Sequence, residues 1–122
     1  MIKIFAVDDD LHLLETIIIQ IEQEGGYDIE GASSLKEAKA KLADVDPDLV
    51  ILDVMLPGRS GYDILRDLRS DSATADVPVM MLTARGQAKD RDMAIRLGAT
   101  HFMTKPFSNA DFLESVRALA TP

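Results

Sequence analysis

Short apolar runs, each followed by a reactive side chain, recur along this sequence. They are Ile2–Val7 before Asp8 and Asp9, Leu49–Leu52 before Asp53, Val77–Leu82 before Thr83, and Thr100–Met103 just before Lys105. Runs of this length that alternate with helical patterns indicate a parallel β-sheet, and such sheets bind ligands beyond the carboxyl ends of their strands. We therefore expect these side chains to converge at one edge of a sheet.

Amphipathic patterns of helical period fill the segments between the runs. They cover Leu11–Gln23, residues 34–43 behind a Ser34/Glu37 capping box, Tyr62–Leu68, Lys89–Leu97, and a last helix capped by Ser108 with Leu113, Val116 and Ala120 inward. Tyr27–Ala32 alternates as one more strand, and Met55–Ser60 has the composition of a loop. A fivefold alternation of strand and helix predicts an α/β fold.

Length and composition narrow the functional classes. A chain of 122 residues fits one domain over residues 1–122, and its abrupt end near Pro122 leaves open a longer parent chain. Cysteine is absent, which excludes disulfides and thiolate chemistry. The net charge of −8 makes direct nucleic-acid binding by this chain a poor prediction. No apolar stretch approaches the roughly 20 residues of a membrane span, so we expect a cytoplasmic protein without membrane contact.

The acidic residues near the first strand allow two interpretations. Asp8, Asp9 and Asp10 could be a solvated charge run at the first turn of a helix, where carboxylates interact favourably with the helix dipole. Asp53 favours a site instead, because right-handed crossovers would place its strand beside the first one. Crowded carboxylates of this kind suit Mg²⁺, which takes one or two of them together with a substrate phosphate.

Lys105 and Thr83 are also open to two interpretations. Lys105 could be an ordinary surface lysine, but Pro106 constrains its loop at a strand end, where an ammonium can meet a phosphate or neutralise Asp53. The Lys-Pro bond is also one that can adopt the cis form. Thr83 could be a simple strand-end cap, or its hydroxyl could donate to an oxyanion.

Taken together, these residues resemble the receiver domain of bacterial two-component response regulators. The matching elements are Val7-Asp8-Asp9, the segment from Asp53 through Pro57 to Gly61, Thr83-Ala84, and Lys105-Pro106-Phe107, all in the family's order and approximate spacing. The resemblance covers essentially the whole chain. It implies a doubly wound (βα)5 flavodoxin-like fold, a three-layer sandwich whose parallel five-stranded sheet has the order 2-1-3-4-5.

The resemblance also implies a phosphoacceptor and a metal site. Asp53 looks like the residue that takes a phosphoryl group from a phosphohistidine and becomes an acyl phosphate. Asp8, Asp9, Asp53 and the backbone carbonyl of Met55 resemble the ligands of Mg²⁺, with Asp8 acting directly or through water. No organic cofactor is implied.

The remaining matched positions resemble the family's switch residues. Lys105 looks like the lysine that binds the phosphoryl oxygens, and Thr83 like the hydroxyl that turns inward to contact them. Phe102 matches the switch aromatic without the hydroxyl often found there, and it is equally well interpreted as ordinary core. Met55 and Arg85 lie two positions beyond Asp53 and Thr83, where we hypothesise that they tune the lifetime of the acyl phosphate.

The function implied is that of a phosphorylation-controlled switch that catalyses only its own phosphorylation and dephosphorylation. Its expected partners are a sensor histidine kinase or phosphotransfer protein and, through the face Lys89–Leu119, an output domain or partner protein. We expect a monomer or a dimer enhanced by phosphorylation.

Two other functions fit parts of the sequence. Asp8-x-Asp10 after the first strand is similar to the nucleophile motif of haloacid-dehalogenase phosphatases, but Leu11 and His12 follow where that family has a small Thr or Val. A receiver-like interaction module that is never phosphorylated is the second alternative. The intact set Asp9, Asp53, Thr83 and Lys105 argues against it.

Overall fold

The apolar runs of the sequence form the strands of one parallel sheet. The computed structural model describes residues 1–42, 44–56, 59–83 and 88–120. Within these ranges the sheet strands are β1 (Ile2–Val7), β2 (Tyr27–Ala32), β3 (Leu49–Asp53), β4 (Val79–Thr83) and β5 (His101–Thr104). They pair in the order β2-β1-β3-β4-β5, and every pair is parallel. The predicted order 2-1-3-4-5 is confirmed.

Helices follow the strands in alternation. They are α1 (Leu11–Glu24), α2 (Leu35–Leu42), α3 (Gly61–Ser70), α4 (Ala88–Arg96) and α5 (Asn109–Leu119). The first helix ends where expected, because Gly25 has a φ of 76°, a conformation that favours glycine. Of the Ser34/Glu37 capping box, the serine half is present: Ser34 Oγ accepts from the Glu37 N–H at 3.2 Å. No helix among the described residues combines the length and apolar character that a bilayer crossing requires.

The helices cover the sheet on both faces and give the predicted three-layer sandwich. Buried residues of α1 and α5 pack on one face: Leu14, Ile17, Ile21, Phe112 and Val116. Buried residues of α2, α3 and α4 pack on the other: Ala38, Tyr62, Ile64, Leu65, Leu68 and Ala94. Strands β3 and β4 are buried along their whole length, which explains why their sequences are continuously apolar rather than alternating.

Two local features differ from the sequence-based expectation. Met55–Leu56 and Arg59–Ser60 form a short antiparallel pair where a loop was expected. Strand β5 begins one residue later than predicted, because Thr100 is held by β4 through its side chain: its Oγ accepts from the Val79 N–H at 3.1 Å. The fully buried Phe112 is a core residue of α5 that the periodicity argument did not single out.

Arg69 joins α3 to two connections at the amino-terminal edge of the sheet. Its Nε donates to the Gly98 carbonyl at 2.9 Å, and its Nη1 donates to the carbonyls of Ala75 and Val77 at 3.1 and 2.7 Å. Burial lowers the pKa of Arg69, while the charge of Asp76 opposes that change. The guanidinium is therefore a cross-link between three backbone segments.

We expect Arg69→Met to lower the free energy of unfolding by about 2 kcal/mol, because charged donors to otherwise unpaired carbonyls contribute more than neutral ones. Arg66→Met on the same helix is the control. Arg66 is exposed and lies 3.8 Å from Asp63, a contact expected to contribute very little. Urea unfolding of both variants measures the difference, and equal midpoints would contradict the cross-linking role.

Candidate functional site

Carboxylates from two neighbouring strands meet at the carboxyl edge of the sheet. Val7 of β1 is paired with Leu52 of β3, so the next residues along each strand, Asp8 and Asp53, lie side by side. Asp8 is 1% exposed and Asp53 5% exposed, whereas Asp9 is open to solvent. One oxygen from each of the three carboxylates lies within 4.8 Å of the others. The structure thus brings together the three side chains proposed from sequence as metal ligands.

This donor set fits a hard divalent cation. Three carboxylates so close together repel each other, and two of them are largely removed from water. A divalent cation would relieve that repulsion, and the exposed Asp9 gives it an approach from solvent. The oxygens match Mg²⁺, which keeps several of its own waters and binds few protein groups. The backbone of Met55, in the strand pair that follows Val54, continues directly from this cluster.

Lys105 supplies a positive charge to the cluster. Its Nζ lies 2.9 Å from Asp8 Oδ2 and 3.5 Å from Asp53 Oδ2. Desolvation acts to lower the pKa of Lys105, but the hydrogen bond to Asp8 and the charges of Asp8 and Asp53 outweigh it, and the net effect is a raised pKa. The lysine was expected to neutralise Asp53, and the structure shows that Asp8 is its nearer partner.

The backbone holds Lys105 in this position. It follows β5, and its N–H donates to the Thr83 carbonyl at the end of β4, at 2.6 Å. The Lys105-Pro106 peptide bond is cis, the form that the sequence allowed. Two strands therefore fix the start of the loop from which the ammonium reaches across to β1.

Thr83 and Phe102 lie on the two strands beside Asp53. Leu82 is paired with Asp53, so Thr83 is one residue further along β4, and it is 1% exposed. Phe102 of β5 is half-buried and packs against the core that contains Phe5 and Tyr62. Both side chains lie where switch residues are expected. Of the other sequence-based expectations, those on Pro57, Ala84 and Arg85 fall outside the described residues.

Asp10 is separate from the cluster although it directly follows Asp9. Its Oδ1 accepts from the N–H groups of His12 and Leu13 at 3.1 and 3.2 Å, which makes it the N-cap of α1. The helix-terminus interpretation of the acidic run is therefore correct for Asp10 alone. The Asp8-x-Asp10 motif of a phosphatase is disfavoured, because the second carboxylate is engaged by the helix backbone.

Gly61 lets the chain pass close behind the Asp53 backbone. Its N–H donates to the Val54 carbonyl at 2.8 Å, and a Cβ at this position would collide with the carbonyl oxygen of Asp53. The glycine is one of the positions that matched the receiver pattern. Its contact with Asp53 explains why a residue eight positions downstream belongs to the site.

A cavity of about 500 Å³ opens beside Lys105, between α1 and the segment that follows β5. Leu13, Ile17, Pro106 and Phe107 provide most of its apolar wall. Sequence reasoning missed this cavity, because its two sides come from segments some 90 residues apart and neither segment alone shows a concave surface. Its position next to the carboxylates suits a partner that must reach them.

Comparison with known proteins agrees with the fold and the site. The family model described as "Response regulator receiver domain" matches residues 4–117. The transcriptional regulator RpaA of Synechocystis is 40% identical over 119 residues, which are 98% of this chain and 49% of that protein. The phosphate regulon regulator PhoB of Pseudomonas aeruginosa is 37% identical over 95% of this chain and 50% of its own length. The chain thus spans about half the length of these curated relatives.

Solved structures give the same result. The non-phosphorylated HemR receiver domain of Leptospira biflexa has a TM-score of 0.90 at 32% identity and covers 100% of this chain and 96% of that one. The chemotaxis protein CheY4 of Vibrio cholerae has a TM-score of 0.88 at 28% identity, with 98% of both chains covered. The chain belongs to the response regulator receiver domain family, the phosphoacceptor switches of two-component systems.

Proposed function

We propose that Asp53 is the phosphoacceptor and that Asp8, Asp9, Asp53 and the Met55 backbone carbonyl bind Mg²⁺. The observation that carries this proposal is the convergence of three carboxylates and the Lys105 ammonium at the ends of neighbouring strands. Bound there, Mg²⁺ would supply charge neutralisation for the carboxylates and for the phosphoryl oxygens.

Asp53 acts in this proposal as the nucleophile. One of its carboxylate oxygens bonds to phosphorus while the bond from phosphorus to the donor's imidazole nitrogen breaks, giving an acyl phosphate. Lys105 lies 3.5 Å from Asp53 Oδ2 and can interact with the transferred oxygens as a point charge. No general base is needed, because the nucleophile is already ionised. Such chemistry depends mainly on positioning and charge stabilisation.

Thr83 and Phe102 are proposed to convert the new charge into a conformational change. The phosphoryl group adds acceptor oxygens next to Thr83, and its hydroxyl can donate to them. Phe102 has room to move because it is half-buried rather than fully enclosed. Phosphorylation would then shift the population between two packings of this region.

We propose a sensor histidine kinase or phosphotransfer protein as the donor, docked over the cavity beside Lys105. That cavity borders both α1 and the Lys105 loop, so a partner seated there would approach Asp53. The output surface is proposed on Lys89–Leu119, which includes β5 and Phe102. RpaA is named as a DNA-binding regulator. By analogy, DNA contact by the parent protein of this chain would reside in another domain, since this one carries a net charge of −8.

This chain is proposed to turn over no separate substrate and to act as one receiver domain over residues 1–122, as a monomer or a phosphorylation-enhanced dimer. Its proposed location is the cytoplasm, where the phosphohistidine domain of a sensor kinase would meet it. Catalysis is then limited to its own phosphorylation and dephosphorylation.

Intact mass after incubation with acetyl phosphate tests the proposal. We expect one phosphoryl adduct on the parent chain with Mg²⁺, none after chelation with EDTA, and none on Asp53→Asn. Asp10→Asn is the matched control, since it also removes a carboxylate near the site but keeps the helix cap. Continuous release of phosphate from a small phosphomonoester would favour a phosphatase, and a folded parent chain without adduct would favour an unphosphorylated interaction module.

A further inference from the structure

We infer that Asp10 is a positioning residue for the cation site: by capping α1, it fixes the backbone N–H that orients the carboxylate of Asp8. The inference rests on the proposed function and adds a residue to it. Asp10 lies outside the group of carboxylates that could hold the ion, so its effect must pass through Asp8.

Two sets of hydrogen bonds at Asp10 link the helix to the site. On the helix side, its Oδ1 accepts from His12 and Leu13, and its carbonyl accepts from Leu14 at 2.9 Å. On the site side, its own N–H donates to Asp8 Oδ1 at 2.9 Å. Asp10 therefore belongs to both the first turn of α1 and the immediate surroundings of Asp8.

The carboxylate of Asp8 is held by one partner on each oxygen. Oδ1 accepts from the Asp10 N–H, and Oδ2 accepts from Lys105 Nζ at 2.9 Å. Because Asp8 is 1% exposed, water cannot readily replace either partner. A cation that binds near Oδ2 competes with Lys105 for it, which leaves the Asp10 N–H as the contact that holds the carboxylate in place.

The side chain of Asp10 stabilises this N–H by keeping the first turn of α1 wound. Without the cap, the N–H groups of His12 and Leu13 lose their acceptor and the turn frays. The Asp10 N–H then loses its fixed direction toward Asp8. Groups that orient a metal ligand typically affect metal affinity by an order of magnitude or more when removed.

The geometry separates the capping role of Asp10 from its charge. Its carboxylate is exposed and turned to the helix backbone, so solvent screens its charge from the cation site. Asparagine and serine are N-caps comparable to aspartate, whereas alanine is a poor one. Variants at this single position can therefore remove the charge, or both the charge and the cap.

Calorimetric titration of the full chain with MgCl₂ tests the inference. We expect Asp10→Ala to weaken Mg²⁺ binding roughly tenfold, and Asp10→Asn and Asp10→Ser to bind Mg²⁺ as the parent chain does. Ser34→Ala is the matched control, because it removes the N-cap of α2, where Ser34 Oγ accepts from Glu37 at 3.2 Å. That variant should bind Mg²⁺ with parental affinity. Binding of Mg²⁺ by the metal-free chain is read out independently of any phosphorylation.

Three outcomes would overturn the inference. Parental affinity in Asp10→Ala would show that the cap does not orient Asp8, and this result leaves the proposed function intact. Weakened binding in Asp10→Asn equal to that in Asp10→Ala would assign the effect to charge, and the comparison of Asn with Ser decides this point even if the alanine variant does not fold. Absence of Mg²⁺ binding by the folded parent chain would remove the cation site itself and, with it, that part of the proposed function.

Discussion

Replacing Gly61 with alanine is expected to lower the free energy of unfolding by about 3 kcal/mol, at the upper end of the cost of overpacking. The new Cβ would overlap the carbonyl oxygen of Asp53, and both groups belong to backbone, which cannot rotate away. Either α3 or the end of β3 must shift. Because that shift moves Asp53, phosphorylation by acetyl phosphate should slow in the fraction that remains folded.

Gly31→Ala is the control for this prediction. A Cβ at Gly31 would lie 3.0 Å from Ile18 Cδ1 and 3.1 Å from Leu14 Cδ1, both of which are ends of flexible side chains. Alanine also restricts the unfolded chain more than glycine does. We expect its unfolding free energy to stay within about 1 kcal/mol of the parent value. Urea unfolding compares the two variants, and a Gly61→Ala midpoint as high as that of Gly31→Ala would contradict the close approach at Asp53.

Lys105→Met is expected to change phosphorylation and cation binding in opposite directions. The rate of adduct formation from acetyl phosphate should fall on the order of 100-fold, because the variant lacks a fixed charge at the transferred oxygens. Mg²⁺ should bind more tightly, since Asp8 Oδ2 loses its 2.9 Å contact with the ammonium and becomes available. Saturating Mg²⁺ should also stabilise this variant more than the parent, because Asp8 and Asp53 otherwise have lost their counter-charge.

Lys39→Met controls for the loss of one positive charge elsewhere. Lys39 is exposed and lies 3.7 Å from Asp67 on the surface. Its removal should leave both the phosphorylation rate and the affinity for Mg²⁺ near parental values. Rates come from the time course of the intact mass and affinities from calorimetry. A parental phosphorylation rate in Lys105→Met would refute the role proposed for the lysine, and weaker Mg²⁺ binding would refute the competition at Asp8.

Much of the fold follows from hydrophobic periodicity, because the buried strands leave a clear signal. Leu49–Leu52 and Val79–Leu82 are apolar without alternation, as strands covered on both faces must be. The short pair Met55–Leu56 and Arg59–Ser60 could not be predicted this way, since two residues per strand are too few to show a period. The start of β5 depends on a tertiary hydrogen bond from Val79 to Thr100, which no local pattern reveals.

The site was predictable as a set of strand ends but not in its internal contacts. Parallel strands place Asp8 and Asp53 at one edge regardless of detail, which is why their convergence could be expected. That Lys105 lies nearer to Asp8 than to Asp53 depends on side-chain geometry across 97 residues of sequence. The distinct role of Asp10 depends on where α1 begins, and three consecutive aspartates give no sign of which one is the cap.

The identity of the acceptor residue is the central claim, and chemical trapping of the adduct tests it most directly. Borohydride reduces an aspartyl phosphate to homoserine, which peptide sequencing by mass spectrometry can place. After incubation with acetyl phosphate and Mg²⁺, we predict homoserine at position 53 and unchanged aspartate at positions 8, 9 and 10. Homoserine at Asp8 or Asp9 with Asp53 unchanged would contradict the proposed mechanism.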